Sequence, residues 1–171
     1  KKPDKLAILW EGEDGSHRNF SYSQLFHEVK KFANVLKSLG IKKGDRVTIY
    51  LPMIPELPIS MLACARIGAI HTVVFSGFSS TSLKDRIEDS KSKIVITADG
   101  GFRKGKIIKL KQIVDDAVSE INFIEHVIVV ERIKNKTVLK KKDHLWSELM
   151  NHISDVCDAE PLDSTHPLYI L

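Results

Sequence analysis

The string Asp99-Gly100-Gly101-Phe102-Arg103-Lys104-Gly105-Lys106 crowds three cations among glycines. Arg103 offers a planar fork of donors that matches the edge of a phosphate, and Lys104 and Lys106 add point charges. Gly100 and Gly101 supply backbone freedom. A polyanion is the natural partner of such a string. A solvated, mobile turn is the competing reading, since glycine and lysine are both common in exposed loops. A second string, Phe75-Ser76-Gly77-Phe78-Ser79-Ser80, sets aromatic rings beside a glycine that permits close backbone approach. Either Phe75 or Phe78 can face a flat ring system. The competing reading is a tight turn with an N-capping serine and two core phenylalanines.

Elsewhere the chemistry is thinner. His71 is of the type used as a general base, but no serine or cysteine stands at a recognisable nucleophile spacing, so a satisfied structural histidine is expected. Asp85, Arg86, Glu88 and Asp89 share one short helical stretch and are expected to form surface ion pairs worth under about 1 kcal/mol. Arg66 lies inside an apolar run; it is expected to pair with a carboxylate or to cap backbone carbonyls, because an unpaired buried guanidinium is costly. The seven histidines and two cysteines form no metal-ligand cluster, so no bound metal is expected.

These strings need elements to present them, and the apolar rhythm supplies candidates. Ser21-Tyr22-Ser23-Gln24 has the form of a capping box, followed by Leu25, Val29, Phe32, Leu36 and Leu39 at helical spacing up to Gly40. That predicts an amphipathic helix of about five turns, with Lys30, Lys31 and Lys37 on its solvent face. Ahead of it, Leu6 to Trp10 and Arg18 to Phe20 flank Gly12 and Asp14-Gly15, a turn signal that suggests a small antiparallel hairpin. From Arg46 the pattern alternates: strand 47–51, helix 57–67, strand 70–75, helix 83–90, strand 94–97, helix 110–119, strand 127–130. Runs such as Val127-Ile128-Val129-Val130 are apolar without alternation, as expected of strands covered on both faces. The expected fold is α/β, a doubly wound, mostly parallel sheet with helices on both faces. Pro58 fits the first turn of its helix and Gly68 its end. The organisation expected is one body, 1–171, made of a small hairpin and helix at 5–40 and a βαβ part at 41–171. In such sheets ligands collect beyond the carboxyl ends of the strands, which is where both strings fall.

Composition excludes more than it assigns. The chain has 171 residues, 43% apolar and 28% charged, ordinary for a globular protein. Its formal charge of +4, from 26 Lys plus Arg against 22 Asp plus Glu, suits a phosphorylated ligand or plain solubility. Lys140-Lys141-Lys142 lacks interleaved aromatics, so a nucleic-acid partner is not expected; the stretch 135–142 is expected to be an exposed excursion. Cys64 and Cys157 suggest neither a disulfide framework nor a zinc site, which fits a reducing, cytoplasmic setting. No apolar run approaches the roughly 20 residues of a membrane span, and Lys1-Lys2-Pro3-Asp4 does not begin a signal peptide. No membrane partner is expected, and oligomeric state is not written in the sequence.

Five strings carry a resemblance. Trp10-Glu11-Gly12-Glu13, Gly44-Asp45-Arg46-Val47, Pro52-Met53-Ile54-Pro55-Glu56, Leu62-Ala63-Cys64-Ala65-Arg66-Ile67-Gly68-Ala69 and Ile96-Thr97-Ala98-Asp99 together resemble the acetyl-CoA synthetase branch of the AMP-forming acyl-CoA synthetases. The resemblance implies a large N-terminal domain of an adenylate-forming enzyme that joins acetate to coenzyme A with ATP converted to AMP and pyrophosphate. It also implies that the family's phosphate-binding loop would begin just after Leu171, with 167–171 as the strand leading to it, so that the chain is an inactive front portion of the enzyme. No catalytic residue is then expected here, and ATP with its Mg2+ would bind mainly elsewhere. By the same resemblance Arg103, Lys104, Gly105 and Lys106 contact the nucleotide end of coenzyme A, and Phe75, Ser76 and Gly77 border its adenine. Lys106 stands where many relatives carry arginine, and Ser76 where many carry glycine. A propionyl-CoA synthetase is the nearest rival, because one methylene changes binding by only about 1–3 kcal/mol. A non-catalytic nucleotide-binding module is the contrasting class. A nicotinamide-binding domain fits poorly, since Pro52-Met53-Ile54-Pro55 occupies the junction where G-x-G-x-x-G belongs.

Overall fold

The computed structural model describes residues 2–135 and 137–171, so Lys1 and Lys136 of the strings named above lie outside the described residues. The chain opens with an antiparallel hairpin, β1 (Leu6–Glu11) and β2 (His17–Ser21), turning through the expected Gly12 to Gly15 segment. Ser21 then caps α1 (Tyr22–Ser38): its hydroxyl accepts from the Gln24 N–H at 3.2 Å while Gln24 Oε1 accepts from the Ser21 N–H at 2.8 Å. Both halves of the capping box are therefore made. Val29, Phe32 and Leu36 are buried as the periodicity predicts. Of the three lysines expected in solvent, only Lys37 is exposed, Lys30 and Lys31 being half-buried; Lys30 folds back, its ammonium 5.0 Å from the Phe26 ring, which shields apolar surface with its own stem.

The centre of the molecule is a six-stranded sheet, all parallel, in the order β10-β4-β3-β5-β8-β9. Its strands are β3 (Arg46–Tyr50), β4 (Ile70–Val73), β5 (Ile94–Ala98), β8 (His126–Val130), β9 (Asp143–Leu145) and β10 (Tyr169–Ile170). Every residue of β5 is buried, the reason the run 94–97 reads as continuous apolar sequence. Connecting helices are α2 (Glu56–Arg66), α3 (Ser80–Ser90), α4 (Leu110–Val118) and α5 (Trp146–Asn151). They pack in two groups, α1 with α2 and α5, and α3 with α4. Ala63 and Cys64 are fully buried in α2, and Gly68 ends that helix region at φ +70°, a backbone region glycine enters without strain.

Several elements depart from the sequence expectation. β4 stops at Val73 rather than 75, releasing Phe75 into the loop beyond. β9 and α5 have no sequence counterpart. β9 is three residues, polar and only half-buried, so period-two alternation cannot mark it. It is held by charge instead: the Lys111 ammonium, 3% exposed, sits 2.8 Å from Asp143 and 2.6 Å from Asp115. Asp85, Glu88 and Asp89 take no ion pair among the described residues; Lys84 on their helix reaches Glu120 instead, because the helix faces α4 across that row. Arg66 caps a carbonyl, donating through Nε and Nη2 to Cys157 O at 2.8 and 2.6 Å. That bond, with Asn34 donating to Ser154 O and Val156 O, straps the segment 152–168 across the helices and delivers β10 beside β4. Val138 at 82% exposure shows the expected excursion over the described part of 135–142.

Candidate functional site

Two loops leave the carboxyl ends of β4 and β5, the strands that flank β3, and each is pinned from within. After β4, the Val74 N–H still donates to Ile49 O at 2.9 Å. The chain then turns so that the Phe78 N–H reaches Phe75 O at 3.0 Å. Tyr50, fully buried at the end of β3, donates its hydroxyl toward Ser76 O at 3.2 Å and Phe78 O at 2.7 Å. Burial pushes the Tyr50 phenol up from its ordinary value, so it stays a donor throughout the physiological range. Ser79 accepts from the Ser82 N–H at 3.3 Å and caps α3. The capping half of the structural reading thus holds, but the phenylalanines are not core: Phe75 is 55% and Phe78 37% exposed, ring to ring at 5.8 Å edge-on.

After β5 the chain forms a small antiparallel hairpin rather than an open loop, β6 (Gly101–Arg103) and β7 (Lys106–Ile108). Its two turn residues, Lys104 and Gly105, have φ +51° and +72°, the positive pair that matches the twist of a two-residue hairpin. Arg103 and Lys106 are directly paired and so share a face. Gly100 and Gly101 serve a different purpose from the expected one. Neither adopts positive φ; a Cβ on Gly100 would stand 2.5 Å from Ile133 Cδ1 and one on Gly101 3.3 Å from Pro52. They are bare because neighbours press on them. Asp99, 6% exposed, fixes the start of the hairpin by accepting from the backbone N–H groups of Gly100, Arg132, Ile133 and Asn135 at 2.7 to 3.2 Å.

The fold brings these loops together. The Arg103 guanidinium lies 5.0 Å from the centroid of Phe75. A Cβ on Gly77 would collide with Arg103 Nη1 and stand 2.5 Å from Phe75 Cε1, so the glycine is a notch that both the arginine and the ring press into. Arg86 lies 4.8 Å from the Phe78 ring, continuing a row of cations and rings along the strand ends. Phe75, Ser76, Gly77 and Arg103 are gathered into one ledge. Lys104, Gly105 and Lys106 project at the hairpin tip, all exposed. Cations and flat rings on one exposed ledge can hold a nucleotide phosphate and stack its base.

Comparison with known proteins places this ledge in context, since a family model for the AMP-binding enzymes matches residues 1–171. The chain belongs to the AMP-binding enzyme family. Within it, the chain is 54% identical over 170 residues to the acetyl-coenzyme A synthetase of Rubrobacter xylanophilus and 50% identical to that of Deinococcus radiodurans, in each case 98% of this chain and 26% of the relative. Among solved structures, the acetoacetyl-CoA synthetase from Streptomyces lividans superposes with a TM-score of 0.90 at 27% identity, over 99% of this chain and 26% of that one. The chain spans about a quarter of the length of these relatives.

Sequence reasoning missed several residues that shape the ledge. Tyr50 gave one usable signal, a polar tip at a strand's carboxyl end. Arg132, Asp14 and Glu13 gave none, because they reach the hairpin from distant segments. The Arg132 guanidinium beside Asp14 holds its carboxyl well below the usual carboxylate range. His71 is 4% exposed and burial lowers its pKa, but its Nδ1 finds no partner among the described residues, so it is not the satisfied histidine of the sequence reading. A groove of about 990 Å³ opens instead between the N-terminal residues, α1 and α2, with Tyr22, Phe26 and Leu62 in its lining. It shares no residue with either loop. Among the described residues no group of three or more His, Cys, Asp or Glu side chains is placed to hold a metal ion, and no helix is long and apolar enough to cross a membrane.

Proposed function

We propose that the chain is the coenzyme A-docking part of an acetate–CoA ligase that forms AMP. In the first half-reaction the acetate carboxylate attacks the α-phosphorus of ATP, giving acetyl-adenylate and releasing pyrophosphate. In the second the thiol of coenzyme A attacks the acyl carbon, the thioester forms, and AMP leaves. The single observation that carries this reading is the convergence of Arg103 on Phe75 in the Gly77 notch, which joins a phosphate-matching fork to an exposed ring. The names of the relatives point the same way.

The ledge binds the nucleotide end of the carrier, Arg103, Lys104 and Lys106 facing its phosphates and Phe75, Ser76 and Gly77 bordering its adenine. No residue here is assigned to bond making. Remote binding energy of this kind positions the thiol, which lowers the barrier only through orientation. Mg2+ would accompany ATP, and the described residues offer no ligand set for it, so none is assigned in this chain.

The test is Arg103→Glu in a ligase that contains this segment. Coenzyme A use should weaken at least about tenfold, as loss of a charged hydrogen bond and its replacement by repulsion require. Acetate-dependent pyrophosphate exchange should stay nearly intact, because only the second half-reaction needs the thiol. Equal loss of both would remove coenzyme A from this ledge. Assaying acetate beside propionate settles the acyl group.

A further inference from the structure

The β6–β7 hairpin has little of its own to hold it. Its three-residue strands stand outside the six-stranded sheet, residues 103–107 are exposed, and an isolated two-stranded hairpin is marginal in water. Beyond the Asp99 anchor at its start, what orders it is Arg132 and the N-terminal hairpin. The Arg132 guanidinium lies 5.0 Å from the ring of Phe102 in β6 and 5.0 Å from that of Trp10 in β1. Its Nη1 and Nη2 donate to the two carboxylate oxygens of Asp14 at 2.9 and 2.7 Å. Beside it, the Gly105 N–H at the tip donates to Glu13 Oε2 at 3.3 Å. Gly12 is bare for the same reason, since a Cβ there would stand 2.7 Å from Arg132 Nη2. The brace is itself anchored: Trp10 Nε1 donates to Met53 O at 2.6 Å, and Arg18 pairs with Glu56 at 2.6 Å.

We propose that Arg132 and Asp14 are positioning residues, closing a clamp between Trp10 and Phe102 that holds the β6–β7 hairpin with Arg103 over Phe75 and in the Gly77 notch. The inference rests on the coenzyme A reading above for its functional consequence, but the clamp itself is a statement about the order of one hairpin. A bidentate arginine–carboxylate pair is directional as well as strong, and the flanking rings fix the plane of the guanidinium. The entropy of ordering the hairpin is met before a ligand arrives, so binding energy is not consumed in doing so.

Two mild variants of this chain test it, Asp14→Asn, which keeps shape and removes charge, and Arg132→Lys, which keeps charge and removes the fork. Amide hydrogen exchange is measured residue by residue, and coenzyme A is titrated onto each protein. In the folded variants the amides of residues 103–107 should exchange about tenfold faster or more while those of β3, β5 and β8 stay as in the parent, and coenzyme A should bind about tenfold more weakly. Arg132→Lys should retain more affinity than Arg132→Ala. Unchanged hairpin exchange, or acceleration spread evenly over the whole sheet, overturns the clamp. Faster hairpin exchange with unaltered coenzyme A affinity keeps the clamp and overturns its role in positioning the ledge for the ligand. Failure of the parent chain to bind coenzyme A sinks the functional reading instead, and the exchange data then decide the clamp by themselves.

Discussion

A methyl group at position 77 would press on both the Arg103 guanidinium and the Phe75 ring. Gly77→Ala should therefore dislodge Arg103 from Phe75 at little cost to stability, because both side chains are exposed and can swing away. Coenzyme A affinity should drop about tenfold with thermal unfolding nearly unchanged; a variant that binds as well as the parent would show that the notch is not used. The same scale shows what residue types alone conveyed. The fork of Arg103 and the bareness of Gly77 were both readable as phosphate and close-approach signals. That they were signals for each other was not, because 26 residues separate them and only the parallel pairing of β3 with β4 and β5 sets the two loops side by side.

Elements here divide by how they are held. α1 and the central strands carry their own instructions, a capping box in one case and unbroken apolar runs in the other. β9 carries none and depends on a buried ion pair, with the Lys111 and Asp143 side chains 3% and 2% exposed. Lys111→Met would fill the volume but leave Asp143 buried without its cation, which should cost about 3 kcal/mol, measured as a lowered midpoint in urea unfolding. Loss of protection should begin in β9 and α5. A neutral substitution would mean that water reaches Asp143 and that β9 is held by its backbone pairing with β8 alone. The β6–β7 hairpin belongs to the same class of borrowed elements. Its glycines suggested freedom, whereas two of them are spaces filled by Ile133 and Pro52.

At the scale of the whole molecule, buried His71 and half-buried His126 make stability depend on pH on the acid side. Burial lowers the pKa of His71 and of His126 below the ordinary 6.5, the latter with further help from His144. The unfolded chain takes up protons near 6.5 while the folded chain resists, so their effect is absent above that value, and stability is lost progressively as pH falls toward the folded values. Asp14 acts at a lower pH: its contribution is full above the ordinary 3.8 and disappears as pH falls through its depressed value. Thermal midpoints measured from about pH 8 to about pH 5 should decline below the ordinary histidine value, and His71→Gln should flatten that decline; an unbent profile would show that the His71 site admits water. The sequence by itself determined the doubly wound class, the hairpin and first helix, and the residue types of the ledge, because apolar periodicity, caps and turn residues act over a few neighbours. Only the tertiary structure decided that Arg103 meets Phe75, that Tyr50 anchors the aromatic loop and that Arg132 reaches from β1 to β6. Those contacts join segments tens of residues apart, and no local pattern encodes which strand will lie beside which.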